Sequence, residues 1–176
     1  MVPSEQSHGD QERFAGWVRE HGRAVRGYLL GMVRRADVAD DLVQEVFCRA
    51  WQGRQRYQEQ GHARAYLLRI ADRLVCDRGR AAGRETALDE DGWRRFEPAA
   101  ADDPAAAVAA KEAAALLADA LDRLSAGQRR VLLLRYYGQF SFREIAEMTG
   151  TPLGTALSHC QRGLEALRKI LAEKAA

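Results

Sequence analysis

Apolar residues recur at intervals of three and four through most of this chain, and they nowhere alternate for long enough to predict a strand. From Asp10 the series Phe14, Trp17, Val18, Val25, Tyr28, Leu29 and Met32 predicts a first helix. Asp37 is placed to cap a second, with Leu42, Val43, Val46, Phe47, Ala50 and Trp51 inward and Asp40, Asp41, Gln44 and Glu45 outward. Residues 53–61 are polar and irregular. A third helix, from about Ala63 to Arg80, buries Leu67, Ile70, Ala71, Leu74 and Val75, and its other faces hold Arg64, Tyr66, Arg69, Arg73 and Arg78.

The character changes between Gly83 and Pro104, where Gly, Asp, Glu and Pro mix with Ala without a sustained period, the composition of a linker. Trp93 and Phe96 interrupt it and are candidates for docking on a lobe or a partner. From Ala105 an Ala-rich helix carries Leu116, Leu117, Leu121 and Leu124. Ser125 and Gln128 then form a capping box, opening a helix that buries Val131, Leu132 and Leu134, turns Arg135 outward and ends near Tyr137 and Gly138. The expected fold is all-α. Two small helical domains, residues 10–82 and 108–173, are joined by a flexible acidic Ala/Pro linker at 83–107, and the first nine residues are frayed.

The most informative stretch is 141–156. Ser141 and Glu144 form a second S-x-x-E capping box. Ile145, Ala146 and Thr149 give a short apolar stripe, Gly150 supplies a left-handed cap, and Pro152 forbids simple continuation. Gly154-Thr155 opens a last helix running through Leu157, Cys160, Leu164, Leu167 and Leu171. This is the grammar of a helix-turn-helix, whose second helix enters the major groove and reads bases with its first turns.

Charge supports that reading by its distribution rather than its total, which is only +2. Residues 1–80 carry 14 basic and 11 acidic side chains, residues 81–115 carry 4 and 8, and residues 116–176 carry 9 and 6. Two mildly basic blocks flank an acidic middle, as suits two nucleic-acid-facing lobes on a tether; an ordinary solvated surface would also account for it. Cys48, Cys76 and Cys160 are odd in number and far apart, so a disulfide framework is not expected and a reducing cytoplasm fits. Cys48 and Cys160 read as small core residues. The four histidines show no metal-ligand spacing, and neither a metal nor a cofactor is expected. No apolar run reaches the length of a membrane span or a signal peptide. No nucleophile–base pair, Gly-rich phosphate loop or paired buried carboxylates assemble, so an enzyme is not expected.

With both lobes read, the chain resembles the extracytoplasmic-function (group 4) sigma factors of bacterial RNA polymerase from Phe14 to Leu171. Residues Asp41-Leu42-Val43-Gln44-Glu45-Val46-Phe47-Cys48-Arg49-Ala50-Trp51 match the family's region 2 signature. Ala65-Tyr66-Leu67-Leu68-Arg69-Ile70-Ala71 and Asp77 match its promoter-opening helix, and Leu121 to Leu134 with the helix-turn-helix match region 4. Two departures stand out. The opening helix usually reads Ile-Ala-Arg-Asn, where this chain has Asp72 and Arg73 in the last two places. The recognition helix usually carries Lys-Ser-Arg after Gly-Thr-Val, where this chain has Leu157, Ser158 and His159, so two cations are lost. The run from Thr149 to Thr155 and Arg162-Gly163 resemble actinobacterial members, among them the sigma factor of an antimycin-type cluster.

The resemblance implies partners and roles. Asp40, Asp41, Gln44 and Glu45 would grip the clamp helices of the polymerase largest subunit, and the β flap would hold the second lobe. Arg64, Tyr66, Arg69, Arg73 and Arg78 would bind the −10 element as it opens, cations tracking phosphate and the aromatic stacking on bases. The loop from Arg54 to His62 would hold a base flipped from the non-template strand. Thr155, Ser158, His159 and Arg162 would read the −35 element with Arg143 on its backbone; Leu157 is expected to pack rather than touch a thymine methyl. An anti-sigma factor is a further possible partner. The rival readings are a sigma-like decoy for an anti-sigma protein, or a stand-alone helix-turn-helix regulator. The terminal Ala175-Ala176 pair resembles the end of the tag recognised by bacterial ClpXP protease, an Ala-rich chain ending so by accident being the alternative. The expectation is that ClpXP degrades the protein.

Overall fold

The computed structural model describes residues 5–55, 57, 62–82 and 104–175. Among them are seven α-helices and no strand: α1 (Glu5–Val33), α2 (Ala36–Gln52), α3 (Ala63–Ala82), α4 (Pro104–Asp122), α5 (Ala126–Gly138), α6 (Phe142–Thr149) and α7 (Leu153–Ala175). The first three form one lobe and the last four another. The linker from 83 to 103, with Trp93 and Phe96, lies outside the described residues. Helix α1 begins at Glu5, several residues before the apolar period starts, because polar residues extend a helix whose packing is already secured downstream.

The first lobe packs as its periodicity predicts. Val25, Tyr28, Leu29 and Leu30 of α1 meet Leu42, Val46, Phe47 and Ala50 of α2 and Leu67, Leu68, Ala71 and Leu74 of α3, all buried. At its edge Phe14, Trp17, Trp51, Tyr57 and Tyr66 form a chain of ring contacts with centroids 4.7–6.2 Å apart. Helix α2 starts without the expected cap. The residue before it is Arg35, which makes no side-chain capping bond. Asp37 sits inside the first turn, where Arg35 bonds it at 2.6 Å and holds its carboxyl below the usual range. There it complements the helix dipole.

In the second lobe the buried described residues of α4 are Ala114, Ala118, Ala120 and Leu121, while Leu116 and Leu117 are exposed. Leu116 is turned to solvent, and Leu117 lines an apolar cavity with Leu121, Leu132 and Leu133. Both capping boxes form. Ser125 accepts from the Gln128 amide at 3.3 Å and Ser141 from the Glu144 amide at 3.3 Å, and each glutamine or glutamate reaches back. Of the two cysteines read as core residues, Cys160 is buried and Cys48 is exposed.

The lobes are not separate bodies in this structure. Helix α5 lies on α1 and α3, and the hydrophobic core runs without a break from one lobe to the other. Gly27 and Gly31, one turn apart on α1, permit the approach: a Cβ at Gly27 would lie 2.5 Å from Tyr137 Cε1, and one at Gly31 2.8 Å from Leu133 Cδ1.

Candidate nucleic-acid interface

The helix-turn-helix is built by three local devices. The Ser141 capping box starts α6, drawing the Glu144 carboxyl below its usual range chiefly through the Ser141 backbone amide. Ile145, fully buried, pins this eight-residue helix to the core. Gly150 ends it at φ +67°, with the Thr151 amide donating to Ala146 O at 3.1 Å. The Thr149 hydroxyl bonds Ile145 O at 2.7 Å and lies 2.8 Å from the Thr151 hydroxyl, which closes the turn. Helix α7 leaves this turn with Ala156, Cys160 and Gly163 facing inward.

On α7, Arg162 is exposed, as is Arg143 on α6, while Thr155, Ser158 and His159 are half-buried. The His159 ring stands over Gly127 at the start of α5, where an added Cβ would meet it at 3.1 Å. Leu157 is 44% exposed, so the expectation that it packs is corrected: it stands on the solvent face with Gln161 and Arg162. An exposed leucine at this position offers a methyl-rich surface and no charge.

On α2 the outward face predicted from the periodicity is present. Asp40, Asp41 and Gln44 are exposed and Glu45 is half-buried. Asp40 accepts from Arg26 of α1 at 2.7 Å and Glu45 from Arg49, one turn along α2, at 2.6 Å.

The basic residues of α3 are divided. Arg73 and Arg78 are exposed. Tyr66 is half-buried between Trp17 and Tyr57, part of an aromatic cluster rather than a bare stacking platform. Arg64 donates to the backbone carbonyl of Tyr137 at 2.5 Å, and Arg69 pairs with Glu144 at 3.0 Å and lies over the Phe140 ring. Two of the five are thus engaged by the second lobe. Of the loop from Arg54 to His62, residues 56 and 58–61 lie outside the described residues.

One residue of α3 escaped the periodicity altogether. Asp72 is 3% exposed, the only charged side chain among the buried described residues. Arg130 of α5 grips it with two bonds, 2.8 and 2.7 Å, and the Tyr28 hydroxyl donates to it at 2.6 Å. Arg130 also donates to Met148 O near the end of α6, at 3.1 Å. Burial, then the neighbouring Asp72 charge, raise the Tyr28 hydroxyl well above its usual pKa. Burial disfavours the Arg130 charge, but the Asp72 bonds outweigh it and hold the guanidinium firmly ionised. The signal available in the sequence was the acid itself, standing where the resembled family pattern usually has arginine.

Among the described residues no group of three or more His, Cys, Asp or Glu is arranged to hold a metal, and no helix is long and apolar enough to cross a membrane.

Comparison with known proteins gives this geometry its family. Residues 17–85 match Sigma-70 region 2 and residues 114–167 match Sigma-70 region 4. The chain is 30% identical to the ECF RNA polymerase sigma factor SigW of Bacillus subtilis, over 93% of this chain and 91% of that protein. The chain belongs to the ECF sigma factors. Another relative of this sigma factor is SigL of Mycobacterium tuberculosis, 33% identical over 88% of this chain and 86% of the other. The sigma factor RpoE of Bartonella quintana, solved with the anti-sigma factor NepR, shares the fold with a TM-score of 0.70 at 22% identity, covering 92% of this chain and 98% of that one. In sigma-factor terms, α1 to α3 form region 2, and α4 to α7 form region 4 with its helix-turn-helix. This sigma factor directs RNA polymerase to promoters and starts transcription there.

Proposed function

We propose how this sigma factor divides its work among its surfaces. The exposed α2 face of Asp40, Asp41, Gln44 and Glu45 docks on the clamp helices of the polymerase largest subunit, and region 4 sits on the β flap. Arg64, Tyr66, Arg69, Arg73 and Arg78 engage the opening −10 element, and Thr155, Ser158, His159 and Arg162 read the −35 element with Arg143 on the backbone. The observation that carries this is the α2 face: four polar side chains, two acidic ones anchored by Arg26 and Arg49, on a helix whose other side is wholly in the core.

Leu157, exposed and uncharged where the family usually supplies a cation, makes region 4 a weak phosphate binder that depends on polymerase for its placement. The protein acts by binding, without chemistry of its own, in the cytoplasm where polymerase is. An anti-sigma factor is a further partner, and ClpXP acting on the Ala175-Ala176 end supplies a second route to switching it off; Ala175 closes α7, and Ala176 lies outside the described residues.

The test is a pull-down of core polymerase with the full chain carrying Asp41→Lys and Glu45→Lys. Holoenzyme formation should weaken at least tenfold with helicity unchanged. Undiminished binding would move the docking site elsewhere. A chain that never binds core would favour the decoy.

A further inference from the structure

Helix α7 places an apolar surface where a recognition helix meets DNA. In its first two turns, residues 153–159, the exposed side chains are Leu153 and Leu157, at 40% and 44%, with Gly154 exposed beside them. Ala156 is buried, and Thr155, Ser158 and His159 are half-buried. The His159 ring lies over Gly127 of α5. No lysine or arginine stands between Arg143 and Arg162.

Leucines four apart lie on one face of a helix, one above the other. A single exposed leucine is ordinary. Two adjoining ones on the turns that read base edges in a helix-turn-helix call for a partner. The next residue on that row is Gln161, whose amide donates to Glu165 at 3.2 Å, so the polar continuation of the row is already engaged. A Cβ built at Gly154 would meet nothing within 4 Å, which leaves the space beside the leucines open to a groove.

In the major groove the base pairs present hydrogen-bonding atoms and one apolar substituent, the C5 methyl of thymine. Against the polar atoms a leucine would only strip water from groups it cannot pair. Against a methyl it removes apolar surface from water on both sides.

We propose that Leu153 and Leu157 are specificity-determining residues of this sigma factor that contact thymine methyls in the −35 element, so that part of the promoter sequence is read by apolar contact. This deepens the −35 role proposed for region 4 and rests on it. Four residues of helix rise about 6 Å, and base pairs are spaced by about 3.4 Å, so the two thymines stand within about two base-pair steps of each other. Leucine in place of a cation at 157 thus exchanges a salt-dependent phosphate contact for one that salt leaves unchanged.

The test uses a promoter found by run-off transcription on genomic fragments, made as a synthetic duplex and bound by core polymerase with the full chain. Each thymine of either strand upstream of the −10 element is replaced singly by deoxyuridine, which keeps the base pair and removes only the methyl. Affinity is measured by competition at two salt concentrations. The expected loss is about fourfold at each of two thymines, equivalent to about 0.8 kcal/mol for one buried methyl at about 1.4 kcal/mol per tenfold, and it is the same at both salt concentrations. Leu157→Ala should abolish the response at one of these thymines and Leu153→Ala at the other. A promoter in which no upstream thymine responds to deoxyuridine overturns the proposal. A response that persists in both leucine variants also overturns it, since the methyls then meet other side chains. Deoxyuridine changes no atom of the protein, so the first result is independent of how the variants fold. Scrambling the upstream segment separates the two readings. Unaltered binding removes the −35 role and the proposal with it, whereas weakened binding without a methyl response overturns the leucine contacts alone.

Discussion

Replacing Ile145 with alanine isolates what holds the helix-turn-helix in place. Helix α6 has eight residues, well below the roughly 12–15 at which an isolated helix becomes marginal in water, so its existence depends on contacts beyond itself. Ile145 is the only buried residue of α6 and is fully enclosed. Removing its outer carbons forfeits about 0.8 kcal/mol for each buried methylene-sized group and leaves a cavity the neighbours fill only in part. A cost of about 3 kcal/mol follows, within the 2–5 kcal/mol found for buried aliphatic truncations. Ser141→Ala loses one side of the capping box, about 1 kcal/mol. Gly150→Ala leaves steric room but forces a side chain onto φ +67°, about 1 kcal/mol. Leu157→Ala on the exposed face should fall within about 0.5 kcal/mol of wild type. For a chain of this length about 1 kcal/mol moves the melting temperature by roughly 2–4 °C. Ile145→Ala should therefore melt about 6–12 °C lower by circular dichroism, with the cap variants a few degrees lower and Leu157→Ala unmoved. Its −35 duplex binding should fall further than its binding to core polymerase, since the α2 face lies in the other lobe. A drop under about 2 °C for Ile145→Ala, or one no greater than that of Ser141→Ala, would refute the view that burial outweighs capping here.

Three other outcomes are expected. Leu157→Lys should steepen the salt dependence of promoter binding by about 0.9 in log–log slope, the increment for one more neutralised phosphate, while His159→Lys, starting from a ring packed over Gly127, should add less; filter binding across a salt series reads both. The raised pKa of Tyr28 means that its contribution to stability is complete below about pH 10, where an unfolded tyrosine is still neutral, and is lost as pH rises above that toward the folded-state value. Denaturant midpoints should then fall more steeply above pH 10 in wild type than in Tyr28→Phe, and parallel curves would remove Tyr28 from the account. Ala175→Asp with Ala176→Asp should lengthen the lifetime of the protein with purified ClpXP and ATP, equal decay showing that the pair is not recognised.

What could be read in advance was what is local. Both capping boxes, the left-handed Gly150 and the inward face of α2 depend on residues within a few positions of one another, and each is found as its spacing predicts. The reading failed where a local pattern had two outcomes. Leu116, Leu117 and Leu121 recur along α4, yet of the three only Leu121 is buried, beside Ala114, Ala118 and Ala120. Asp37 has the chemistry of a cap, but the helix starts one residue earlier, at Ala36, so Asp37 stands inside the first turn. Cys48 lies beside the buried Phe47 and still faces solvent, one position too far round the helix. The contact between the lobes was beyond reach for a stronger reason. Asp72 and Arg130 are 58 residues apart, and no periodicity relates them. For the candidate site, the exposure of Arg73, Arg78 and Arg162 follows from helix phase, whereas the capture of Arg64 and Arg69 by region 4 follows only from tertiary packing.

The most direct test of the central claim is run-off transcription with purified core polymerase on genomic fragments, with and without the full chain. A promoter-directing subunit predicts discrete transcripts that appear only when the chain is present and that weaken when Asp41→Lys and Glu45→Lys are introduced. The same sparse, non-specific products with and without the chain, from a preparation whose helicity is intact, would contradict it.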